Sequence, residues 1–231
     1  QLIGRLNANL LIPFGFLIMF GTLGINIILT NEIAKYKDDA NETKKTLFST
    51  MIILLATTLF SMFVMLFGTE WIVSLAIDEG SSYFGILVEG TKILSVGTIL
   101  FSATTMLRAI LVAKGNYTTV SVTYISEQVI KIMLILLGSY FMIFSGERPT
   151  EFYVIILAYS VIISMISTLL IFLIIFLKNG YHRMFIDGEF IFESRVFKHL
   201  IVTSLVVFSA GLFTTLFDQI DLFMMKNRFF T

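Results

Sequence analysis

Six apolar runs, each long enough to cross a bilayer core and joined by short connections, leave this chain few folds to adopt. They lie at about Leu6–Thr30, Phe48–Phe67, Ile93–Ala113, Thr119–Phe144, Phe152–Leu177 and Leu200–Met225. The runs are continuous and not alternating, so each segment must satisfy its own backbone, which selects helices over a barrel. The expectation is an all-α, polytopic transmembrane helix bundle. A composition 57% hydrophobic and 14% charged is far from that of a soluble domain. There is no cysteine, which excludes disulfides, thiolate metal sites and a cysteine nucleophile. Lys plus Arg equal Asp plus Glu at 16 each, so no net charge draws the chain to nucleic acid. The chain opens on Gln1 with no basic n-region and no small-residue cleavage site after it, and it is expected to be part of a longer protein.

Basic residues fall on alternate connections. Lys35, Lys37, Lys44 and Lys45 follow the first run, Lys114 sits between the third and fourth, and Lys178, Arg183, Arg195 and Lys198 follow the fifth. The positive-inside rule therefore places the connections at 31–47, 114–118 and 178–199 in the cytoplasm. Trp71 and Tyr83 stand where an outer aromatic belt would be, and "WIVSLAI" suits a segment along that interface. "KGNYT" at 114–118 reads as a tight hairpin turn.

The informative residues are charges inside the runs. Counted from Thr118 at the helical rise, Glu127 is about 13 Å and Lys131 about 19 Å into the membrane. A charge near the centre of a span costs about 2.5–3.5 kcal/mol on insertion scales, so such residues have partners or a water-filled cavity. Glu127 and Lys131 are four apart with the acid first, the favourable order for an ion pair on one helix face. Tyr124 and Gln128 share that stripe. In the preceding run Ser95, Thr98, Ser102 and Thr105 recur at helical spacing and lead to Arg108. An antiparallel hairpin brings Arg108 and Glu127 to comparable depth, so Arg108, Glu127 and Lys131 can form one network. Two readings stay open for it: Arg108 snorkelling to the interface with Glu127–Lys131 as interhelical glue, or a cavity lining.

Pro13 is expected to bend the first run, and Gly21 and Gly24 in "GTLG" to let another helix approach closely. Asp218, Gln219 and Asp221 lie late in the last run, as solvated terminal residues or as ion-coupling carboxylates. No zinc-ligand spacing accompanies His182 and His199, and no GxSxG or phosphate-cradling glycine loop is present, so no enzyme and no metal site is expected.

"TTMLRAILVAKGNYTTVSVTYISEQVIKIMLILLGSYFMI" resembles the fourth and fifth spans of the polysaccharide-export branch of the MATE-like (MOP) superfamily, particularly its stage V sporulation protein B and MurJ-type group. That group carries an Arg-Gly pair, a short turn, then Ile-Glu-Gln and a basic residue; Arg108, Glu127, Gln128 and Lys131 occupy those places, with Ala109 for the glycine and lysine for the usual arginine. "LNANLLIPFGFLIMFGTLGINIILTNEIAKYKDDANETKK" is similar to the second span of that group, and "FKHLIVTSLVVFSAGLFTTLFDQIDLFMMKNR" to its seventh, without the usual proline near the start.

The resemblance implies about half of a two-lobed MATE-like fold. Residues 1–177 would be five helices of the N-terminal lobe with the first helix missing, 178–199 a cytoplasmic inter-lobe loop, and 200–231 the first helix of the C-terminal lobe. It further implies a flippase in the bacterial cytoplasmic membrane, carrying an undecaprenyl-type, lipid II-like saccharide pyrophosphate by alternating access. Arg108, Glu127, Gln128, Lys131 and Arg5 would line the cavity. Asp218 and Asp221 would be candidates for coupling to Na+ or H+, with no cofactor, membrane lipids as further partners and a monomeric transporter. A cation-coupled multidrug antiporter of the same fold, a non-transporting membrane scaffold and an intramembrane enzyme are the alternatives.

Overall fold

Asp39 sets where the first long helix begins. Its carboxylate accepts hydrogen bonds from the backbone N–H groups of Asn41 and Glu42 at 3.0 and 3.1 Å, satisfying donors that the helix cannot. The computed structural model describes residues 15, 18, 21–22, 24–36, 39–74, 77, 79–144, 151–182 and 192–228, with side chains described through 213 apart from 142, 143 and 151. In chain order the helices are α1 (Ile25–Lys35), α2 (Ala40–Phe67), α3 (Thr69–Ser74), α4 (Phe84–Ala113), α5 (Tyr117–Phe144), α6 (Glu151–Lys178) and α7 (Ser194–Arg228). Among the described residues, five segments are long and apolar enough to cross a membrane: Ala40–Phe67, Phe84–Ala113, Tyr117–Phe141, Phe152–Lys178 and Ser194–Phe213. The chain is a multi-pass, all-helical membrane protein.

Helix α4 is the centre of the bundle. It packs against α6 most extensively, then α2, then α1, with α3 and α5 at its ends. One apolar cluster joins Leu29 and Ile33 of α1, Leu47 of α2, Ala109 to Leu111 of α4, and Phe172 and Phe176 of α6. A second joins Met65 of α2, Leu87 and Leu94 of α4, and Val154, Leu157 and Met165 of α6 at the other end. Helix α2 is arranged as lipid demands. Thr46, Ser49, Thr50, Thr58 and Ser61 are buried against its neighbours, while Leu55, Phe60, Phe63 and Phe67 face outward. Lipid tails are as apolar as leucine, so association rests on close packing of small side chains and not on expelling water. The stripe Ser95, Thr98, Ser102 and Thr105 on α4 is likewise buried, with Ser95 and Thr98 donating to the carbonyls of Lys92 and Ser95.

Several expectations are corrected. The long helices start ahead of their apolar runs, α2 at Ala40 instead of Phe48 and α4 at Phe84 instead of Ile93. Hydropathy marks only the membrane-buried part of a helix, whereas the cap and the backbone hydrogen bonds carry the helix on through polar turns. The first run is not one helix. Gly21 and Thr22 are helical, but Gly24 takes a left-handed φ of 64° and caps the start of α1. That conformation costs an ordinary residue its Cβ clearance, and only glycine adopts it freely. A Cβ on Gly24 would sit 2.7 Å from Cγ1 of Val207 on α7, and one on Gly21 would sit 3.3 Å from the Ser61 hydroxyl of α2. Close approach and a helix break thus coincide here. Pro13, Arg5 and residues 183–191 of the connection before α7 lie outside the described residues.

The turn between α4 and α5 matches its reading: Lys114 caps α4, Gly115 has φ 81°, and α5 begins at Tyr117. The Asn116 amide donates to the Tyr181 hydroxyl at 2.8 Å, fastening this turn to the end of α6. On the same side α7 is tied to the rest by charge. The Lys45 ammonium lies 2.7 Å from Glu42 and 2.9 Å from Glu193, and His199 lies 3.4 Å from Glu32 of α1. Trp71, on the short α3, is exposed, while its neighbours Ile72 and Val73 are buried.

Gly24→Ala should lower stability by about 1–2 kcal/mol, the cost of a left-handed L-residue. Gly24→Val should lower it further, because its Cβ also meets Val207, and Val207→Ala should return only the second part. Thermal unfolding of the detergent-solubilised protein measures all three, and an unchanged midpoint for Gly24→Val would show that the left-handed cap is not what holds α1 against α7.

Candidate functional site

Arg108 is five residues from the end of α4, on the helix face that continues through Thr105, Ala109 and Val112. This face meets α1. Ala109 is buried, and its small side chain lets α1 come near enough for the Thr30 hydroxyl to approach the Ala109 carbonyl at 3.4 Å. Between the two helices lies a cavity of about 320 Å³, lined by Asn26, Ile27, Thr30 and Asn31 from α1 and by Phe101, Thr105, Arg108, Ala109 and Val112 from α4.

The guanidinium is held by groups of α5 and α6. Nη2 of Arg108 donates to Oε2 of Glu127 on α5 at 3.4 Å, and the guanidinium carbon stands 5.3 Å from the Tyr124 ring centre and 5.9 Å from that of Phe172. Both ring contacts are within cation–π range. The Arg108 and Glu127 side chains are 23% and 13% exposed, so the pair is neither a surface bridge nor fully dry. The Nε–H of Arg108 is buried with no acceptor, an unmet donor of a kind that a folded interior rarely leaves. Arg108 is thus fixed by an anion and two aromatic faces and also lines the cavity, whose wall is mostly apolar.

The hairpin therefore brings Arg108 and Glu127 together as the sequence suggested. Lys131 does not join them. It is half-buried, and among the described residues no carboxylate lies within ion-pair distance of it, because Glu127 is turned across to α4 instead of along α5. Gln128 is half-buried beside Glu127 on α5. Asp218 and Asp221 lie on α7, and their side chains are outside the described residues, as is Arg5. Sequence reasoning missed Asn26 and Asn31. Both are exposed along the cavity, and the signal was present in "INIILTNEIAK", where two amides interrupt an otherwise aliphatic helix.

The chain belongs to the polysaccharide biosynthesis protein family, whose model matches residues 9–229. Membership points to a membrane flippase or transporter for polysaccharide precursors. No curated protein and no solved structure matches the chain.

Glu127→Leu should destabilise the protein by about 1–3 kcal/mol, between the ranges of exposed and buried pairs, since it strands the guanidinium. Arg108→Leu combined with Glu127→Leu should recover most of that loss. Unfolding midpoints in detergent for the two single variants and the double variant give the coupling, and additive losses would mean that the pair contributes nothing.

Proposed function

We propose that the chain is part of a flippase that moves an undecaprenyl-type, lipid II-like cell-wall or polysaccharide precursor across the bacterial cytoplasmic membrane by alternating access. The observation that carries the reading is Arg108, which opens on the groove between α1 and α4 in a member of a polysaccharide biosynthesis family. A lipid-linked saccharide pyrophosphate must bring its negative charge into a low-dielectric cleft, where a fixed cation is worth far more than in water. It must also leave. Glu127 serves both ends, holding the guanidinium in place and offsetting part of its charge so that the anion is not trapped.

Lys131 of α5, without a partner among the described carboxylates, lines neither the cavity between α1 and α4 nor the adjoining one toward α7, and on this reading it meets the anion only on a path along the α5 side of α4. On this reading residues 1–177 belong to the first lobe, 178–199 to a cytoplasmic connection and 200–231 to the first helix of the second lobe, with the segments at 31–47 and 114–118 also cytoplasmic. On the same reading Asp218 and Asp221 are the carboxylates that couple transport to Na+ or H+. The chain acts by binding and conformational change and not as an enzyme.

The test is complementation. The full-length protein, expressed in bacteria depleted of their own lipid II flippase, should restore growth, and Arg108→Leu and Lys131→Leu at equal membrane abundance should each reduce rescue by tenfold or more in plating efficiency. Failure of the abundant, correctly inserted parent would remove lipid II as the cargo, and full rescue by both variants would make the two cations structural.

A further inference from the structure

Lys131 is the charge that the groove leaves unexplained. It is half-buried on α5, about 6 Å further along the helix than Glu127, and among the described residues it has no ion-pair or hydrogen-bond partner. It is a wall of neither cavity beside α1. An ammonium inside a span is costly, and such residues pair with another charge or mark a pathway. The nearest carboxylate in the sequence is Glu127, four residues before it on the same helix, in the favourable order for an ion pair.

Glu127 is committed to Arg108, but loosely. The contact is single, from Nη2 to Oε2 at 3.4 Å, whereas a strong charge-assisted bond of this kind measures about 2.7–2.9 Å and is often bidentate. The guanidinium does not depend on the carboxylate alone, since the Tyr124 and Phe172 rings stand 5.3 and 5.9 Å from it. A change among the staggered side-chain torsions carries the Glu127 carboxylate from the α4 side of its helix to a position along α5 beside Lys131. Helix α5 gives room for this. It packs along α6 and touches α4 far less, and only 6% of its most apolar stretch is buried.

Two cations therefore share one acid, and only one of them lines the cavity between α1 and α4. An anion arriving at Arg108 repels Glu127, and a low-dielectric surrounding strengthens that repulsion. Without Lys131 the displaced carboxylate would stand alone in the membrane. With it, the carboxylate has a second place to go.

We infer that Glu127 is an exchangeable carboxylate, which anchors Arg108 until a phosphate-class anion takes the guanidinium and then passes to Lys131. This rests on the flippase reading and gives Lys131 a positioning role: it acts on the anion through Glu127. The return of Glu127 to Arg108 displaces the anion, so one acid serves capture and release. The exchange also reports the occupancy of the groove to α5.

The experiment measures dissociation constants of the full-length protein in nanodiscs for undecaprenyl pyrophosphate, with inorganic pyrophosphate as a second probe. Lys131→Met, which keeps the apolar stem, should weaken binding of the lipid about tenfold, and Lys131→Arg should stay within about twofold of the unaltered protein. Glu127→Gln, which removes the competing charge, should bind at least as tightly as the unaltered protein. Adding Lys131→Met to Glu127→Gln should then change the constant by less than about twofold. Equal weakening by Lys131→Met in both backgrounds would place Lys131 against the anion itself and overturn the exchange, as would no effect in either. Inorganic pyrophosphate binding as tightly as the lipid, with the same pattern across the variants, would keep the exchange and remove the flippase reading. Binding of neither probe would overturn both.

Discussion

In a hydrocarbon slab a guanidinium must find an anion, a ring face or water, and the arrangement of α4, α5 and α6 follows from how Arg108 meets that demand. Glu127 supplies the anion at 3.4 Å, and Tyr124 and Phe172 supply the rings. All three come from α5 and α6. The face toward α1 is left with a cation that needs no further protein partner at its tip and an Nε–H that has none. Had Glu127 paired with Lys131 along its own helix, Arg108 would have lost its anchor, and the groove would have lost a fixed charge.

The same economy of small contacts holds the rest together. α4 is buried on several sides because its serines, threonines and Ala109 let α1, α2 and α6 come close, and Gly24 and Gly138 do the same for α7 and for α5 against α6. α5 is different. Only 6% of its most apolar stretch is buried, so it packs on the bundle chiefly through α6 and leaves Ile125, Val129, Ile132 and Leu136 exposed. What fixes its position is then a short list of contacts: the seam with α6, the turn fastened through Asn116 and Tyr181, and the Arg108–Glu127 pair.

The helices, their order and the hairpin at Gly115 were legible in the sequence because hydropathy and turn chemistry are local. The depth match of Arg108 with Glu127 was legible too, since a tight hairpin leaves little freedom in register. The choice of Glu127's partner was not, because helical spacing makes Lys131 and Arg108 equally reachable and only the rotation of α5 about its axis decides between them. The break at Gly24 was hidden for a related reason: glycine in an apolar run signals close packing or a left-handed turn alike, and Val207, which lies far along the chain, selects both. Asn26 and Asn31 were visible as letters but acquire meaning only when α4 is laid beside α1.

The Arg108–Glu127 pair also bears on how the chain enters the membrane. Helices pass from the insertion machinery into lipid one or two at a time, and an unpaired charge within a span resists that step. Because Gly115 closes the turn between them, α4 and α5 can leave the machinery together as a hairpin with their charges already neutralised. The acid of the later helix thus offsets the charge of the earlier one within a single hairpin, with no contribution from α6 and α7 to that ion pair.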